Sequence, residues 1–371
     1  MTNISSAGLY QRSRRRDFSV TKAPLSYFEY WPGWIFYLPV VLQWIALGLK
    51  HRDLALPTLA NPFIETGGMC GESKVGILDQ IGAPACHLVA RYTSFVTAAI
   101  CDRDHVTAEA AMCAAGLSYP IVVKPDISCN GTGVRVAKGQ EALRRYFLEY
   151  PRSTRVILQE LIHDPLEAGV FYVRQPGEAS GIITSLTLKF APYVDGDGVS
   201  TLRELIINDQ RAGQIAKLYL PRLEERLDTI PSLGERIPLV FVGNHCKGSI
   251  FQNGNSEITP AMTRCFDEMA KSLPEFYFGR FDVRYSSLAD LKRGTGFRLI
   301  EVNGVGSEAT HIWDKDTRLS DAYATLFKHY RMAFKIGAAN RKRGYRGMKL
   351  LMLNSQWRRQ KRLMASYPLS D

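Results

Sequence analysis

Oxygen-bearing side chains cluster on two predicted strands in the C-terminal half of the chain. The segment FGRFDVRY places Asp282 in the middle of one strand, and RLIEVNG carries Glu301 and Asn303. Side chains at positions i and i+2 of a strand point to the same face, so Glu301 and Asn303 project together, and Asp282 joins them if the strands pair. Two carboxylates and an amide oxygen are typical ligands of Mg²⁺. Taken alone, the same residues would more often be polar groups on the solvent face of an ordinary sheet.

A lysine and a glycine-rich loop follow an apolar strand in YPIVVKPDISCNGTGVRV. Lys124 ends the strand, which would hold its ammonium at the rim of a site. Gly131 and Gly133 lie in the loop 128–133, where small residues let backbone N–H groups close on phosphate oxygens. The loop is not a P-loop, because no GK[ST] follows the glycines, and a plain hairpin turn is the alternative interpretation.

Helices and short strands alternate from Lys74 onward. Clusters of β-branched and aromatic residues predict strands at 120–124, 155–162, 170–174, 182–189, 239–243, 278–285 and 297–302. Apolar spacing of 3.6 residues predicts helices at 74–80, 141–150, 202–208, 260–273 and 319–334. The strand RVILQELI ends in Glu160 and Leu161, where apolar side chains and polar backbone suit a purine pocket. Because no strict βαβ rhythm is present, we expect an α+β fold with antiparallel sheets.

The order of these motifs resembles the ATP-grasp superfamily. A lysine after an apolar strand, a glycine loop, a QEL hinge, an RxD strand and an ExN strand follow one another. Within the superfamily the chain is similar to D-alanine–D-alanine ligases and cyanophycin synthetases, and YVDGDGVSTLRELI (193–206) is particularly like a cyanophycin synthetase segment. The resemblance covers residues 73–334 and implies two α+β subdomains that grip ATP between antiparallel sheets.

The resemblance implies a role for each cation of the motifs. Lys74, in GESKVGILDQIGAP, matches the first phosphate lysine of the family and Lys124 matches the second. Lys189, which ends TSLTLK, would be a further phosphate contact. Arg280 would stabilise the acyl phosphate and the tetrahedral intermediate. Arg280 and Lys124 are therefore the predicted catalytic residues.

The resemblance also assigns the remaining contacts with ATP. Glu160 and Leu161 would meet the adenine edge through backbone groups, and Gly131 and Gly133 would belong to a flap over the γ-phosphate. Magnesium ions, or Mn²⁺ in their place, would be held by Asp282, Glu301 and Asn303.

The chain departs from the family pattern in two places. Relatives usually carry a ribose-binding Glu just before the strand that follows the hinge, whereas the matching place here reads GVFYVR and the nearest acid is Glu167. Glu167 is therefore the substitute that we expect at the ribose. The D-alanine ligases also place a whole α/β subdomain ahead of the grasp module, where this chain has only about seventy residues. Its substrate pocket must be built differently, or from the membrane side.

Residues 31–49 form an uncharged apolar segment, WPGWIFYLPVVLQWIALGL. Its length is close to the roughly 20 residues of a spanning helix, and its tryptophans suit a headgroup interface. Pro39 and Gln43 lie inside it, and basic residues flank both ends. Spanning, lying on or re-entering the membrane, and packing as a buried helix pair all stay open. A cleavable signal peptide is excluded, because the segment starts too far into the chain and no cleavage site follows.

The net charge of +11 is concentrated at the two ends of the chain. The predicted organisation is a basic, poorly ordered leader (1–30), the apolar helical segment with its linker (31–72), the ATP-grasp module (73–334) and a basic tail (335–371). Basic ends of this kind attract an anionic membrane surface, nucleic acid or an acidic polymer, or are simply solvated. We expect no nucleic acid partner, because no recognised nucleic-acid motif is present.

The seven cysteines form no CxxC pair and no metal-ligand spacing, which favours a reducing compartment. We therefore expect a cytoplasmic protein, and contact of residues 31–49 with the inner face of the membrane is one of the arrangements left open above. The composition, 46% hydrophobic and 22% charged, is that of an ordinary globular protein.

The function implied by the resemblance is an ATP-dependent carboxylate–amine ligase that forms an amide through an acyl phosphate. Its substrates would be ATP and an amino acid, a peptide or another small carboxylate and amine. The chemistry is mainly electrostatic, which agrees with the lack of an evident Ser/His/Asp or Cys/His arrangement. An ATP-grasp small-molecule kinase and a non-catalytic, membrane-tethered nucleotide-binding module are the alternatives. The sequence leaves a homodimer open.

Overall fold

The computed structural model describes residues 25–99, 103–241, 243 and 247–371. Most of the predicted leader, with its run of arginines, therefore lies outside the described residues, as do Cys101 and Cys246. The five cysteines of the described part are all free thiols.

Eleven helices and eleven strands make up the described chain. The helices are α1 (Gly33–His51), α2 (Lys74–Leu78), α3 (Ala83–Cys86), α4 (Asp104–Ala114), α5 (Gln140–Glu149), α6 (Leu202–Asn208), α7 (Ala216–Tyr219), α8 (Pro260–Lys271), α9 (Leu288–Arg293), α10 (Leu319–Lys342) and α11 (Leu350–Ala365). The strands are β1 (Tyr92–Val96), β2 (Ile121–Pro125), β3 (Arg135–Ala137), β4 (Arg155–Glu160), β5 (Leu166–Val173), β6 (Ile182–Phe190), β7 (Tyr193–Asp195), β8 (Arg236–Pro238), β9 (Ile250–Asn253), β10 (Phe278–Tyr285) and β11 (Phe297–Asn303). Short 3₁₀ turns join them, among them Leu56–Ala60 and Thr310–Trp313.

All pairings between these strands are antiparallel. A four-stranded sheet has the order β1-β4-β2-β3, and a five-stranded sheet has the order β11-β10-β5-β6-β9. A two-stranded ribbon, β7-β8, stands apart from both. The predicted α+β class with antiparallel sheets is confirmed.

Each sheet has its own apolar core. The five-stranded sheet packs its buried side chains, among them Val170 and Phe281, against Phe266 of α8. This follows from the sequence of α8, whose apolar residues recur at helical spacing and whose N-cap Thr259 accepts a hydrogen bond from Met262 N–H. The four-stranded sheet packs separately against α4 and α5. Two independently packed units can therefore hold a site between them.

Most of the predicted elements are confirmed to within a few residues. The strand at 278–285 and the helix at 202–208 have the predicted bounds, and β5 begins four residues earlier than predicted. The strand predicted at 239–243 is wrong for residues 239–241 and 243, which are irregular, since the nearest strand, β8, ends at Pro238; Val242 lies outside the described residues. Leu239 and Val240 are buried, but Leu239 N–H bonds the oxygen of Pro192 outside any ladder. An apolar run alone does not separate a strand from buried irregular chain.

Helix α10 continues eight residues past its predicted end at 334 and so crosses the predicted start of the tail. The extended part of α10 packs closely on the 3₁₀ turn at Leu56–Ala60 because residue 337 is a glycine. A Cβ at Gly337 would lie only 2.3 Å from the Leu56 oxygen. Asn340 fixes the same contact by donating to the Leu59 oxygen at 2.8 Å. Residues 350–365 form α11, so most of the basic tail is helical.

Candidate active site

The two sheets meet at a β-bulge in β11. Asp282 pairs with Glu301 and Val283 with Leu299, so Ile300 has no partner on β10. The Ile300 backbone oxygen instead accepts a hydrogen bond from the Lys124 ammonium on β2, at 3.0 Å. The bulge therefore joins the phosphate lysine predicted on one sheet to the metal strand predicted on the other.

Lys124 is a buried cation with neutral partners. It is 5% exposed, and its second hydrogen bond goes to the side-chain oxygen of Gln159 at 2.7 Å. Among the described residues, no carboxylate lies within 4 Å of its ammonium. Burial lowers the Lys124 pKa to about 8, with Glu301 opposing the change and Lys74 adding to it. A buried ammonium without a counter-ion is an environment suited to an anion.

Asp282 is the centre of a second, ion-paired cluster. Its carboxylate accepts two hydrogen bonds from Arg280, both at 2.9 Å, and one from Lys189 at 2.9 Å. Asn303 donates to the same group through its amide nitrogen at 3.0 Å. Burial would raise the Asp282 pKa, but Arg280 and Lys189 hold it well below its usual range. Asp282 is therefore an anion that fixes two cations in place.

Lys74 stands at the start of α2, where two contacts position it. Ser73 caps the helix by accepting from Gly76 N–H at 2.9 Å, and its hydroxyl donates to Asp126 at 3.0 Å. The Lys74 ammonium donates to the Ser128 oxygen and lies 3.5 Å from Glu301. Burial lowers the Lys74 pKa, but Glu301 and other acids outweigh it, so the net change is upward. The predicted Lys74, Lys124 and Glu301 are thus neighbours.

The oxygen donors that the sequence predicts for Mg²⁺ lie next to one another. They differ in how many of their oxygens are already bound to cations of the protein. Asp282 and Glu301 are direct cross-strand partners, yet both oxygens of Asp282 already face cations. Glu72 adds a half-buried carboxylate, whose Oε2 is shielded from solvent and has no hydrogen-bond partner among the described residues. Burial raises the Glu72 pKa, and Glu301 contributes to the same change while Lys74 opposes it. The carboxylate oxygens of Glu72 and Glu301 are of the kind that binds Mg²⁺. The described residues contain no group of three or more acidic, His or Cys side chains placed to hold a metal ion.

Glu167, the expected ribose ligand, is paired with cations on both sides. Lys189 lies across from it on β6, with its Nζ 2.8 Å from Glu167 Oε1. Arg284 lies across from it on β10, at 3.7 Å. Gly243 lies close to this carboxylate, because a Cβ there would lie 2.5 Å from Glu167 Oε1 and would require the Glu167 side chain to move. The Glu167 carboxylate is thus held inside the cluster, and its ribose role stays a prediction.

The predicted adenine hinge lies at the end of β4. The Glu160 side chain faces Arg91, with 3.0 Å between Oε2 and Nε, and its backbone N–H donates to the Arg91 oxygen at 2.8 Å. Leu161 follows the strand and is half-buried. The N–H group of Glu160 is therefore engaged within the protein, which leaves the backbone of Leu161 as the nearer candidate for an adenine contact.

The glycine loop between β2 and β3 adopts left-handed backbone at Gly131 (φ 63°) and Gly133 (φ 75°). A side chain at Gly133 is excluded, because a Cβ would lie 2.6 Å from Pro125. The loop is held by residues near the C-terminal end of the chain. Gly133 N–H donates to the Ser370 hydroxyl at 3.0 Å, and that hydroxyl donates to the Gly131 oxygen at 2.7 Å. The N–H group predicted to meet phosphate is thus bound to Ser370.

Sequence reasoning missed Gln159, Glu72 and Lys247 at this site. Gln159 interrupts the apolar run RVILQELI, and a buried polar residue in such a run is a signal of a partner. Glu72 stands two residues before Lys74, but nothing in its spacing indicates burial. Lys247 donates to the Gly131 oxygen at 2.7 Å, a contact that no local pattern could predict.

Two cavities lie away from this cluster. One of about 520 Å³ is bounded by α3, α8 and the segment Gly294–Arg298. A smaller one, of about 190 Å³, is lined by His311, Asp314, Asp316 and Asp321. Neither contains any of the predicted site residues.

Comparison with known proteins finds similar solved structures only. No family model matches the chain, and no curated protein matches it. Among solved structures, D-alanine–D-alanine ligase from Bacillus anthracis shares 12% identity over 75% of this chain and 70% of that protein, with a TM-score of 0.40. VanG D-Ala:D-Ser ligase from Enterococcus faecalis shares 14% identity over 72% and 62%, with a TM-score of 0.39.

A bifunctional glutathione synthetase from Pasteurella multocida is a third similar structure. It shares 16% identity over 69% of this chain, with a TM-score of 0.34. The chain spans only 36% of that protein and 62% of VanG. The similarity to these three structures is one of fold over part of each chain, at TM-scores of 0.34 to 0.40.

Proposed function

We propose that the protein is an ATP-dependent carboxylate–amine ligase, which forms an amide through an acyl phosphate and releases ADP and phosphate. The observation that carries the proposal is the buried ammonium of Lys124 with neutral partners only. It lies in a cluster that also contains the cations Lys74, Lys189 and Arg280. Transfer of the γ-phosphoryl to a carboxylate brings anions together, and such a cluster offsets their charge.

Binding of the phosphates would fall to Lys124 and Lys74. Lys124 is fixed from both sides, by Gln159 on β4 and Ile300 on β11, so it is already oriented before an anion arrives. Lys74 shares its charge with Glu301 at 3.5 Å, which leaves its ammonium less committed than that of Lys189. A fixed cation costs little reorganisation when the reaction occurs.

Arg280 would stabilise the charge that develops on the acyl phosphate and on the tetrahedral intermediate. Two of its nitrogens, Nε and Nη2, donate hydrogen bonds to the Asp282 carboxylate. The third, Nη1, donates to the Glu308 backbone oxygen at 3.0 Å. A guanidinium held at three points keeps one orientation. The incoming amine can then attack while the oxyanion meets a fixed positive charge.

Magnesium would offset the negative charges of the ATP phosphates and of the carboxylates that face them. Glu301 and Glu72 are the residues that would hold it, because their carboxylates are not committed to Arg280 or Lys189 as Asp282 is. Asp282 would join them after exchanging one of its cation partners. Asn303 would join only by turning its amide oxygen, since its nitrogen now faces Asp282.

The substrates would be a small carboxylate and an amine, such as amino acids or peptides. A cytoplasmic location follows from the need for ATP. ADP release should be measured with Mg²⁺ against a panel of amino acids, dipeptides and amines, with the product identified by mass spectrometry. We expect an amide together with ADP, and a stable phosphoester instead would identify a kinase.

Lys124→Met is the decisive variant for this experiment. We expect it to lower ATP affinity by about 100-fold or more, because one charge-assisted contact in a dry site is lost. Lys292→Met is the matched control, since Lys292 pairs with Glu257 at 2.7 Å on the outside of the fold. ATP binding that is unchanged in Lys124→Met would rule out the proposed phosphate site.

A further inference from the structure

One face of α1 is apolar and exposed along its whole length. Its residues recur every three or four positions, and each is between 43% and 75% exposed. The α1 outer face consists of Trp34, Leu38, Val41, Leu42, Ile45 and Leu49. No charged residue occurs between Trp31 and Leu49. A continuous apolar stripe of this kind marks a contact surface rather than ordinary solvent-facing helix.

The opposite face of α1 is built into the protein. Phe36 packs against Trp313 and Tyr323, with ring centroids 4.7 and 5.4 Å away. The side-chain amide of Gln43 donates to the Phe327 oxygen of α10 at 3.1 Å, and Trp44 donates to the Leu54 oxygen at 3.0 Å. Although α1 is long and apolar enough to cross a bilayer, crossing would break these contacts. The geometry favours a helix that lies along a surface.

Basic residues gather at the C-terminal end of this face. Lys50 and Arg52 end α1, and Arg341 of α10 donates to the His51 oxygen at 3.1 Å while lying 3.9 Å from Asp53. The connection from α10 to α11 runs against the same end, since a Cβ on Gly347 would lie 3.8 Å from the Asp53 carboxylate. The basic corner, as we define it, consists of Lys50, Arg52, Arg341, Arg346 and Lys349, all exposed.

We infer that the α1 outer face and the basic corner dock the protein on an anionic lipid bilayer, with α1 parallel to the membrane plane. The apolar side chains would enter the acyl region, and the basic corner would meet the headgroups. Charge decides the choice of partner. No acidic residue occurs between Trp31 and Arg52, and Asp53, the next residue, already lies 3.9 Å from Arg341 of the same copy, so the α1 outer face of a second copy offers the basic corner no free counter-charge. The inference is independent of the proposed ligase activity.

The apolar half of the inference is tested by vesicle sedimentation of the full chain. Vesicles of phosphatidylcholine alone are compared with vesicles that contain phosphatidylglycerol. We expect the double variant Leu38→Glu/Leu42→Glu to bind at least tenfold more weakly than the unchanged protein. Both side chains point outward, so the thermal unfolding temperature should not fall. The control is Val199→Glu/Leu233→Glu, two residues that are 78% and 82% exposed and lie far from α1 in sequence.

The charged half is tested with Lys50→Gln/Lys349→Gln on the same vesicles. Each basic residue near an anionic surface contributes about a fivefold change in binding. We therefore expect a loss of about 25-fold on anionic vesicles and almost none on neutral vesicles. The preference for anionic vesicles should also decline as salt is raised.

Three results would overturn the inference. The first is equal binding of the protein and of Leu38→Glu/Leu42→Glu to anionic vesicles. The second is vesicle-bound protein that resists extraction at alkaline pH, which would show a spanning helix. The third is a protein that ignores vesicles but is dimeric by light scattering and becomes monomeric in Leu38→Glu/Leu42→Glu, which would assign the face to a second copy.

Discussion

The backbone oxygen of Glu308 accepts a hydrogen bond from Nη1 of Arg280 at 3.0 Å. The carboxylate of the same residue reaches in the other direction. It accepts from the Tyr37 hydroxyl on α1 at 3.0 Å and from the indole nitrogen of Trp313 at 2.9 Å. Glu308 therefore ties the apolar helix to the arginine that we place in the reaction.

Glu308→Ala should loosen that tie without removing the backbone contact to Arg280. We expect a loss of about 2–3 kcal/mol in the free energy of unfolding, because two hydrogen bonds to a charged acceptor disappear. The reaction rate should fall several-fold, with a smaller change in KM for ATP, since Arg280 would lose part of its fixed orientation. Denaturant unfolding and steady-state kinetics check both parts. A variant with full stability and full rate would show that the link is not used.

Asp282→Asn and Glu301→Gln should separate a structural acid from a metal-binding one. Asp282→Asn leaves Lys189 and Arg280 without their shared anion, and breaking a buried pair in this way costs about 3–5 kcal/mol. Glu301 is more exposed and makes one contact of 3.5 Å, so Glu301→Gln should cost less than about 1 kcal/mol. Activity should nevertheless collapse in Glu301→Gln, with the Mg²⁺ concentration for half-maximal rate raised. An unchanged Mg²⁺ dependence would remove Glu301 from the metal site.

ATP affinity should fall as the pH rises through about 8. The Lys124 pKa is lowered to about 8, chiefly by burial, so the free protein loses this positive charge above that pH. We expect the logarithm of the ATP association constant to decrease by one unit per pH unit above 8, and Lys124→Met to abolish that slope. Calorimetry between pH 7 and pH 9.5 measures it. A flat profile for the unchanged protein would contradict the assignment.

The same lysine has the opposite effect on stability. Between about pH 8 and its ordinary pKa the unfolded chain holds a proton that the folded chain has released, so stability rises with pH across that window. Below pH 8 the buried charge weakens the fold. Lys124→Met should therefore not lower the unfolding free energy at pH 7, in contrast to Asp282→Asn.

Ser370→Ala should release the glycine loop. The Ser370 hydroxyl accepts a hydrogen bond from Gly133 N–H. Lys247 also donates to the same hydroxyl. If that N–H has to meet phosphate, removing the competing oxygen should raise ATP affinity by about twofold to tenfold, the range of one hydrogen bond. Leu369→Ala is the control, because Leu369 contacts the loop region through its backbone oxygen and its side chain is exposed. Weaker ATP binding in Ser370→Ala would show instead that the contact of Ser370 with the glycine loop supports the conformation that binds ATP.

The secondary structure around the site was predictable because the local signals are strong. Apolar residues define β10 and β11, and the expectation that Asp282 joins Glu301 if the two strands pair is met by their cross-strand contact. Helix α8 carries an equally clear periodicity, and the six-residue strand β4 is marked by a continuous apolar run. Strands of three residues, such as β3 and β7, are too short to give such a signal.

The contacts made by the predicted residues could not be predicted in the same way. Lys189 and Arg280 were expected at phosphate and acyl phosphate, but which acid pairs with them depends on register across three strands. Ser370 lies more than 200 residues from the loop that it holds, and a contact at that separation leaves no local pattern. Burial is also non-local, so the altered pKa of Lys124 became visible only with the two sheets in place.

The bulge at Ile300 has a consequence for how this strand can vary. Only the backbone of Ile300 takes part in holding Lys124, so many side chains at that position would leave the contact intact. The number of residues in β11 is constrained instead. Deleting one residue would remove the bulge and restore regular pairing between β11 and β10. The carbonyl at this position would then bond to β10 and would no longer accept the hydrogen bond from Lys124. Substitutions at position 300 are therefore tolerated where a one-residue deletion is not.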